Sequence, residues 1–94
     1  METMEKVKLI EKEQIPSLTF DETSIVVQPN NLRAKLADAT KLGNLFHGKV
    51  RIIFHADQGK MAVETTIWAT GNQYIALKGG MWLPINRIEN IEMI

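Results

Sequence analysis

The sequence predicts a mainly β domain of the α+β class, a small antiparallel barrel or strongly curved sheet with one N-terminal helix. Three observations predict it. From Gly48 onward apolar and polar residues alternate with a period of two. Glycine-bearing turns at Gly59, Gly71 and Gly79-Gly80 divide that stretch into short segments. One stretch of helical spacing precedes it, with asparagines at its start and a glycine at its end.

Ninety-four residues make one domain. Residues 29–94 carry the helix and the strands, and residues 1–28 form an N-terminal segment, partly mobile or an edge strand. A chain this short buries only about 60–65% of its unfolded surface, so association is a natural supplement to its stability. There are no cysteines, which excludes a disulfide framework, a zinc ribbon and a cysteine nucleophile. Lysine plus arginine equals aspartate plus glutamate at 11 each, so the chain as a whole has no basic footprint for nucleic acid. The first residues lack the apolar stretch of a signal peptide, and no apolar run approaches the roughly 20 residues that cross a bilayer. A cytoplasmic protein is expected.

The N-terminal segment is the least patterned. Val7, Leu9 and Ile10 are the apolar cluster of a charged stretch, and the first 15 or so residues are expected to be mobile. Ile15-Pro16 reads as a break, because proline disfavours the α region for the residue before it. Leu18-Thr19-Phe20 and Ile25-Val26-Val27 fit either a small hairpin or one irregular edge strand. The helix is clearer. Asn30 and Asn31 offer an N-cap, and Leu32, Leu36, Ala39 and Leu42 form one apolar stripe. Gly43 is placed as the left-handed cap that ends it.

Val50, Ile52, Phe54 and Ala56 then alternate with Lys49, Arg51, Ile53 and His55. A second run places Met61, Val63, Thr65, Ile67 and Ala69 against Ala62, Glu64, Thr66, Trp68 and Thr70. A two-residue turn at Gln58-Gly59 sets Ala56 opposite Met61, Phe54 opposite Val63, Ile52 opposite Thr65 and Val50 opposite Ile67. All of these then share one face, which a one-residue slip would destroy. Tyr74–Lys78 is the third strand and Met81–Ile85 the fourth, with Pro84 arguing for an edge or a strand end. Ile85, Ile88 and Ile91 recur every third residue, which suits a 3₁₀ turn, and Ile91–Ile94 closes the chain as a last strand.

Four antiparallel strands with short turns, a 3₁₀-like turn and a closing strand resemble the layout of small SH3-type barrels. A helix before the first strand is similar to the start of Sm-like barrels. The resemblance covers roughly residues 29–94, and the chain also looks like short bacterial proteins. Leu77-Lys78-Gly79 resembles the apolar-basic-glycine triplet of Sm proteins. In that family the triplet precedes the last strand, whereas here a further strand and a turn follow. No RNA-binding residue is therefore assigned from it. A barrel of this kind would hold Val50, Ile52, Phe54, Val63, Ile67, Ile75, Leu77, Leu83, Ile85 and Ile88 at its centre, with the leucine stripe over one open end. Closure would remove exposed strand edges. An open sheet with the helix across one face fits the pattern equally.

No catalytic constellation is found, and the chain reads as a non-enzyme without cofactor or metal. The two histidines, His47 and His55, have no nucleophile at a recognisable spacing. His55 and Asp57 point to one face of a strand, and with Glu64 they outline a conceivable acid–base or metal site. The plainer reading is three solvated polar residues beside a turn.

Binding offers more. The alternation places Trp68, Tyr74, Trp82 and Ile53 outside the core, edged by Lys49, Arg51 and Lys78. Aromatic residues and arginine anchor interfaces. Three readings compete for this patch. The helix or the N-terminal segment covers it, a homo-oligomer or a protein partner buries it, or single-stranded nucleic acid stacks on its rings. The last receives little from charge: residues 48–94 hold five basic and four acidic side chains. A self-associating interaction module is the leading expectation, and an Sm-like RNA-binding protein the alternative.

Overall fold

In the computed structural model, which describes residues 7–94, the elements run β1 (Lys8–Ile10), a 3₁₀ turn (Lys12–Ser17), α1 (Leu32–Phe46), β2 (Val50–Ala56), β3 (Gly59–Thr65), β4 (Ile67–Thr70), β5 (Tyr74–Leu77), β6 (Trp82–Pro84), a 3₁₀ turn (Ile85–Arg87) and β7 (Ile88–Met93). The fold is α+β and mostly β. Its strands form two sheets, ordered β1-β3-β2-β7 and β4-β5-β6, and their ladders do not close into a single barrel.

Period-two patterning becomes strict burial in β2, where Val50, Ile52, Phe54 and Ala56 are buried and the residues between them are half-buried. The turn to β3 is Asp57-Gln58, one residue earlier than the sequence suggests, and Gly59 opens β3 at φ 135°. Phe54 therefore lies opposite Met61, Ile52 opposite Val63 and Val50 opposite Thr65. The expected register is off by two residues. A shift of two keeps every side chain on its face, which is why the predicted core survives the error.

The run from 61 to 70 is not one strand. It breaks at Thr66, and the chain passes there from the first sheet to the second. Thr66 was expected to face outward but is buried. Its hydroxyl donates to the His47 carbonyl at 3.4 Å, and its own carbonyl accepts from the Lys78 N–H at 3.0 Å. The last strand also begins earlier than expected, at Ile88, directly after the 3₁₀ turn.

Helix α1 buries Leu32, Leu36, Ala39 and Gly43, and packs along β4 and against β7. It thereby bridges the two sheets. Gly43 is not its cap. The helix continues to Phe46, and His47 takes the left-handed conformation at φ 55°, with its N–H donating to the Gly43 carbonyl at 3.0 Å. Gly43 is needed for another reason: a Cβ there would meet the Ile67 carbonyl oxygen inside van der Waals contact. Asn31 occupies the N-cap position, yet its side chain makes no capping bond.

In the N-terminal part, residues 1–6 lie outside the described residues. Lys8–Ile10 pairs parallel to β3, with Ile10 opposite Val63. Pro16 sits inside the 3₁₀ turn, where its fixed φ is tolerated, rather than breaking the chain. Leu18–Gln28 forms no hairpin. It crosses the molecule as a strap, with Phe20 packed on Phe54 at a ring-centroid distance of 6.1 Å. Every residue expected at the centre, from Val50 to Ile88, is buried. Each fully buried aliphatic or aromatic side chain contributes about 1.5–3 kcal/mol.

Candidate interaction face

β4, β5 and β6 turn Ile67, Ile75, Leu77 and Leu83 into the core. Residues of opposite parity must then face outward. Ala76, in the central strand, lies opposite Ala69 on one side and Trp82 on the other. Tyr74 lies opposite Pro84. The β4–β5 register shifts between Ile67 and Ala69, so Trp68 is an extra residue beside Ala69. The result is an outer face of three rings around two alanines. Trp68 is 46% exposed, Tyr74 48% and Trp82 59%. Neither the helix nor residues 7–28 buries them, so among the described residues the patch is not intramolecular core.

Of the other members of the expected patch, Lys78 is on the turn beyond β5 and the rest lie elsewhere. Arg51 and Ile53 are in β2, on the outer side of the first sheet, with Lys49 exposed just before it. Arg51 is committed to carboxylates: its Nε donates to Glu64 at 2.9 Å, and Glu92 lies 3.5 Å away. The hydrogen bond to Glu64 is the main cause holding the guanidinium pKa above its ordinary value. Ile53 lines a separate shallow hollow with Val7, Leu9 and Ala62. The sequence pattern placed all seven residues outside the core but assumed a single sheet. The corner at Thr66 divides them into two surfaces.

A cleft of about 570 Å³ adjoins Tyr74. Gln28, Asn30, Arg33, Asn72, Gln73 and Asn86 line it, over Leu32 and Ile85. Arg33 donates to the carbonyls of Gly71 (2.9 Å) and Asn72 (2.6 Å), tying the helix start to the β4–β5 turn. Gln28 Nε2 donates to the carbonyls of Ile85 (2.8 Å) and Ile88 (2.7 Å). No acid among the described residues lines this cleft. Sequence reasoning missed it because its walls come from three stretches far apart in the chain. The one local sign was amide side chains clustered at turns.

Comparison with protein families, curated proteins and solved structures finds no match to this chain.

The acid–base trio does not assemble. His55 Nε2 lies 2.7 Å from Glu89, which also pairs with Lys60 at 3.1 Å. Burial pushes the Glu89 pKa up, but the hydrogen bonds from His55 and Lys60 outweigh it and hold the carboxyl below its usual range. Glu64 belongs to Arg51. Asp57 serves the strap: it accepts from the Thr19 hydroxyl (2.7 Å) and the N–H groups of Asp21 (3.0 Å) and Glu22 (2.8 Å). The Asp21 N–H is the largest of these influences, and together they hold the Asp57 pKa below its ordinary value. His47 is the helix cap. Among the described residues no group of three or more His, Cys, Asp or Glu is arranged to hold a metal ion. No helix among them is long and apolar enough to cross a membrane.

Proposed function

We propose that this protein is a small, non-enzymatic, cytoplasmic interaction module that self-associates and holds a partner through the outer face of β4-β5-β6. The observation that carries the reading is the exposure of Trp68, Tyr74 and Trp82 together on one sheet face, around Ala69 and Ala76. Large rings left open in a small domain lose the burial that would otherwise stabilise it. A contiguous apolar face of this kind marks a contact surface. Rings also bring large area at little entropic cost when they dock. The test is the mass of the particle, by size exclusion with light scattering on protein purified without nuclease. A defined oligomer supports the reading, and a monomer up to millimolar concentration contradicts its self-associating part.

A second reading has its own observation. The amide-lined cleft beside Tyr74 suits the hydrogen-bonding edge of a nucleobase, with the ring as a stacking surface worth about 1–3 kcal/mol per base. The resemblance of the sequence's helix-then-strands layout to Sm-like barrels is what suggests single-stranded RNA as the ligand. Such binding must weaken steeply with salt and fall on Gln73→Ala. A labelled oligoribonucleotide that shows no shift at low salt removes this reading.

A further inference from the structure

We infer that the cleft beside Tyr74 is a site for one nucleoside monophosphate, its base against Tyr74 and its phosphate on Arg33. The inference rests on the base-recognising reading of this cleft and names a free nucleotide, not a strand, as the ligand. The site is built before any ligand arrives. Arg33 donates to the Gly71 and Asn72 carbonyls, and Gln28 to those of Ile85 and Ile88. The Ile85 N–H also donates to the Gln73 carbonyl at 2.8 Å. These bonds join the three stretches that make the walls, so taking up a ligand requires little ordering. The volume, about 570 Å³, lies within the roughly 300–1,000 Å³ that holds one small organic molecule.

Charge selects an anion. Arg33 is the one charged side chain among the described residues that line the cleft. Its two bonds to carbonyls leave three of the five guanidinium N–H donors, and no described carboxylate pairs with it. A phosphate takes up those donors in charge-assisted hydrogen bonds, which are about twice as strong as neutral ones. One cation also limits the number of phosphates. A strand draws its affinity from a row of phosphate contacts, and neither this lining nor the neutral chain as a whole supplies one.

The neutral groups select the rest of the ligand. Both hydrogens of the Gln28 amide go to carbonyls, which leaves its Oε1 as an acceptor. The side-chain amides of Asn30, Asn72, Gln73 and Asn86 make no hydrogen bond among the described residues. Each offers donors and an acceptor in one plane. A nucleobase edge presents the matching pattern in its own plane, and a phosphorylated sugar has no such plane. Tyr74 and its cross-strand neighbour Pro84 supply a flat surface for the face of the base. Ring, edge and phosphate thus each meet a group that the described fold leaves open.

Two-dimensional ¹⁵N NMR of the full chain tests this, titrating the common ribonucleoside 5′-monophosphates, their nucleosides and inorganic phosphate. At least one monophosphate should bind with a dissociation constant of about 1 mM or below. It should shift the side-chain amides of Asn72, Gln73 and Asn86 and the Arg33 Nε–H. Its nucleoside and inorganic phosphate should each bind at least about 10-fold more weakly, and one ion pair makes the salt dependence shallow. Arg33→Met should weaken binding at least about 10-fold. Because that change also loosens the β4–β5 turn, Asn86→Asp is the second variant. Asn86 is exposed, and a carboxylate there should repel the phosphate by a similar factor without disturbing a bond of the fold. The inference is overturned by silent amides at about 10 mM of every monophosphate, by a nucleoside or phosphate bound as tightly as the monophosphate, or by full affinity in Asn86→Asp. An oligoribonucleotide that binds where no monophosphate does overturns it and keeps the strand reading. A monophosphate that binds where no oligoribonucleotide does keeps the inference and removes the strand.

Discussion

Gly43 of the helix lies directly against the backbone carbonyl of Ile67, the residue with which the chain enters its second sheet. The contact fixes how closely α1 approaches β4. Beside it, Thr66 Cγ2 would stand 2.8 Å from any Cβ at position 43. Alanine in a helix interior normally gains about 1 kcal/mol over glycine. Here overpacking, at roughly 1–3 kcal/mol or more, must exceed it, because a backbone oxygen cannot rotate away. Gly43→Ala should lower stability by about 1–2 kcal/mol in urea denaturation. A stabilised variant would show that the helix is not seated as described.

Arg87 is the buried cation among the described residues, and its donors go to carbonyls. Its Nε donates to His55 (3.2 Å) and its Nη1 to Ser24 (2.6 Å), so one side chain joins β2 to the strap. Methionine fills similar volume but leaves both acceptors without their donor. Arg87→Met should cost about 2–3 kcal/mol, since hydrogen bonds involving a charged group are worth about 1.5–3 kcal/mol. Thermal unfolding measures it, and a change below half a kcal/mol would contradict the latch.

Core and face should respond differently to truncation. Phe54 is fully buried and should cost about 3–5 kcal/mol as alanine. Trp68 is nearly half exposed, and Trp68→Ala at monomer concentrations should cost under about 1 kcal/mol. Equal losses in the two variants would mean that Trp68 is core after all.

Acid should loosen the strap before the sheets. The Asp57 pKa is held below its ordinary value by the Asp21 N–H first, then by Thr19 and the Glu22 N–H. The unfolded chain therefore takes up this proton at higher pH than the folded one. The stabilisation is complete above the ordinary carboxylate range and is lost as pH falls through the depressed folded value. Protection of the Asp21 and Glu22 amides, taken against the intrinsic hydrogen-exchange rate at each pH, should fall there while β2 and β3 stay protected. Asp57→Asn should remove the pH dependence.

These residues also show what the sequence carried. Strict alternation in β2 fixed which side chains of β2 and β3 are core, even though the turn lies one residue earlier than expected. A two-residue register error is invisible to a period of two. The corner at Thr66 was not legible, because the alternation continues across it while the chain changes sheets. Hence Arg51 and Ile53 were grouped with Trp68, Tyr74 and Trp82, although only the three rings share a face. Gly43 was recognised as special but for the wrong reason: a cap and a close approach both call for glycine, and only the packed structure separates them. Asp57 read as a solvated polar residue and Arg87 drew no reading, since their partners at Thr19–Ser24 lie more than thirty residues away.

The central claim is that the rings of the second sheet form a contact surface. Hydroxyl-radical footprinting across a concentration series measures it at Trp68, Tyr74 and Trp82 directly. All three should oxidise readily in dilute protein and become protected together as concentration rises, while exposed Ile25 on the strap keeps its reactivity. Rings already protected in dilute monomer, or equally reactive at every concentration, would contradict the account.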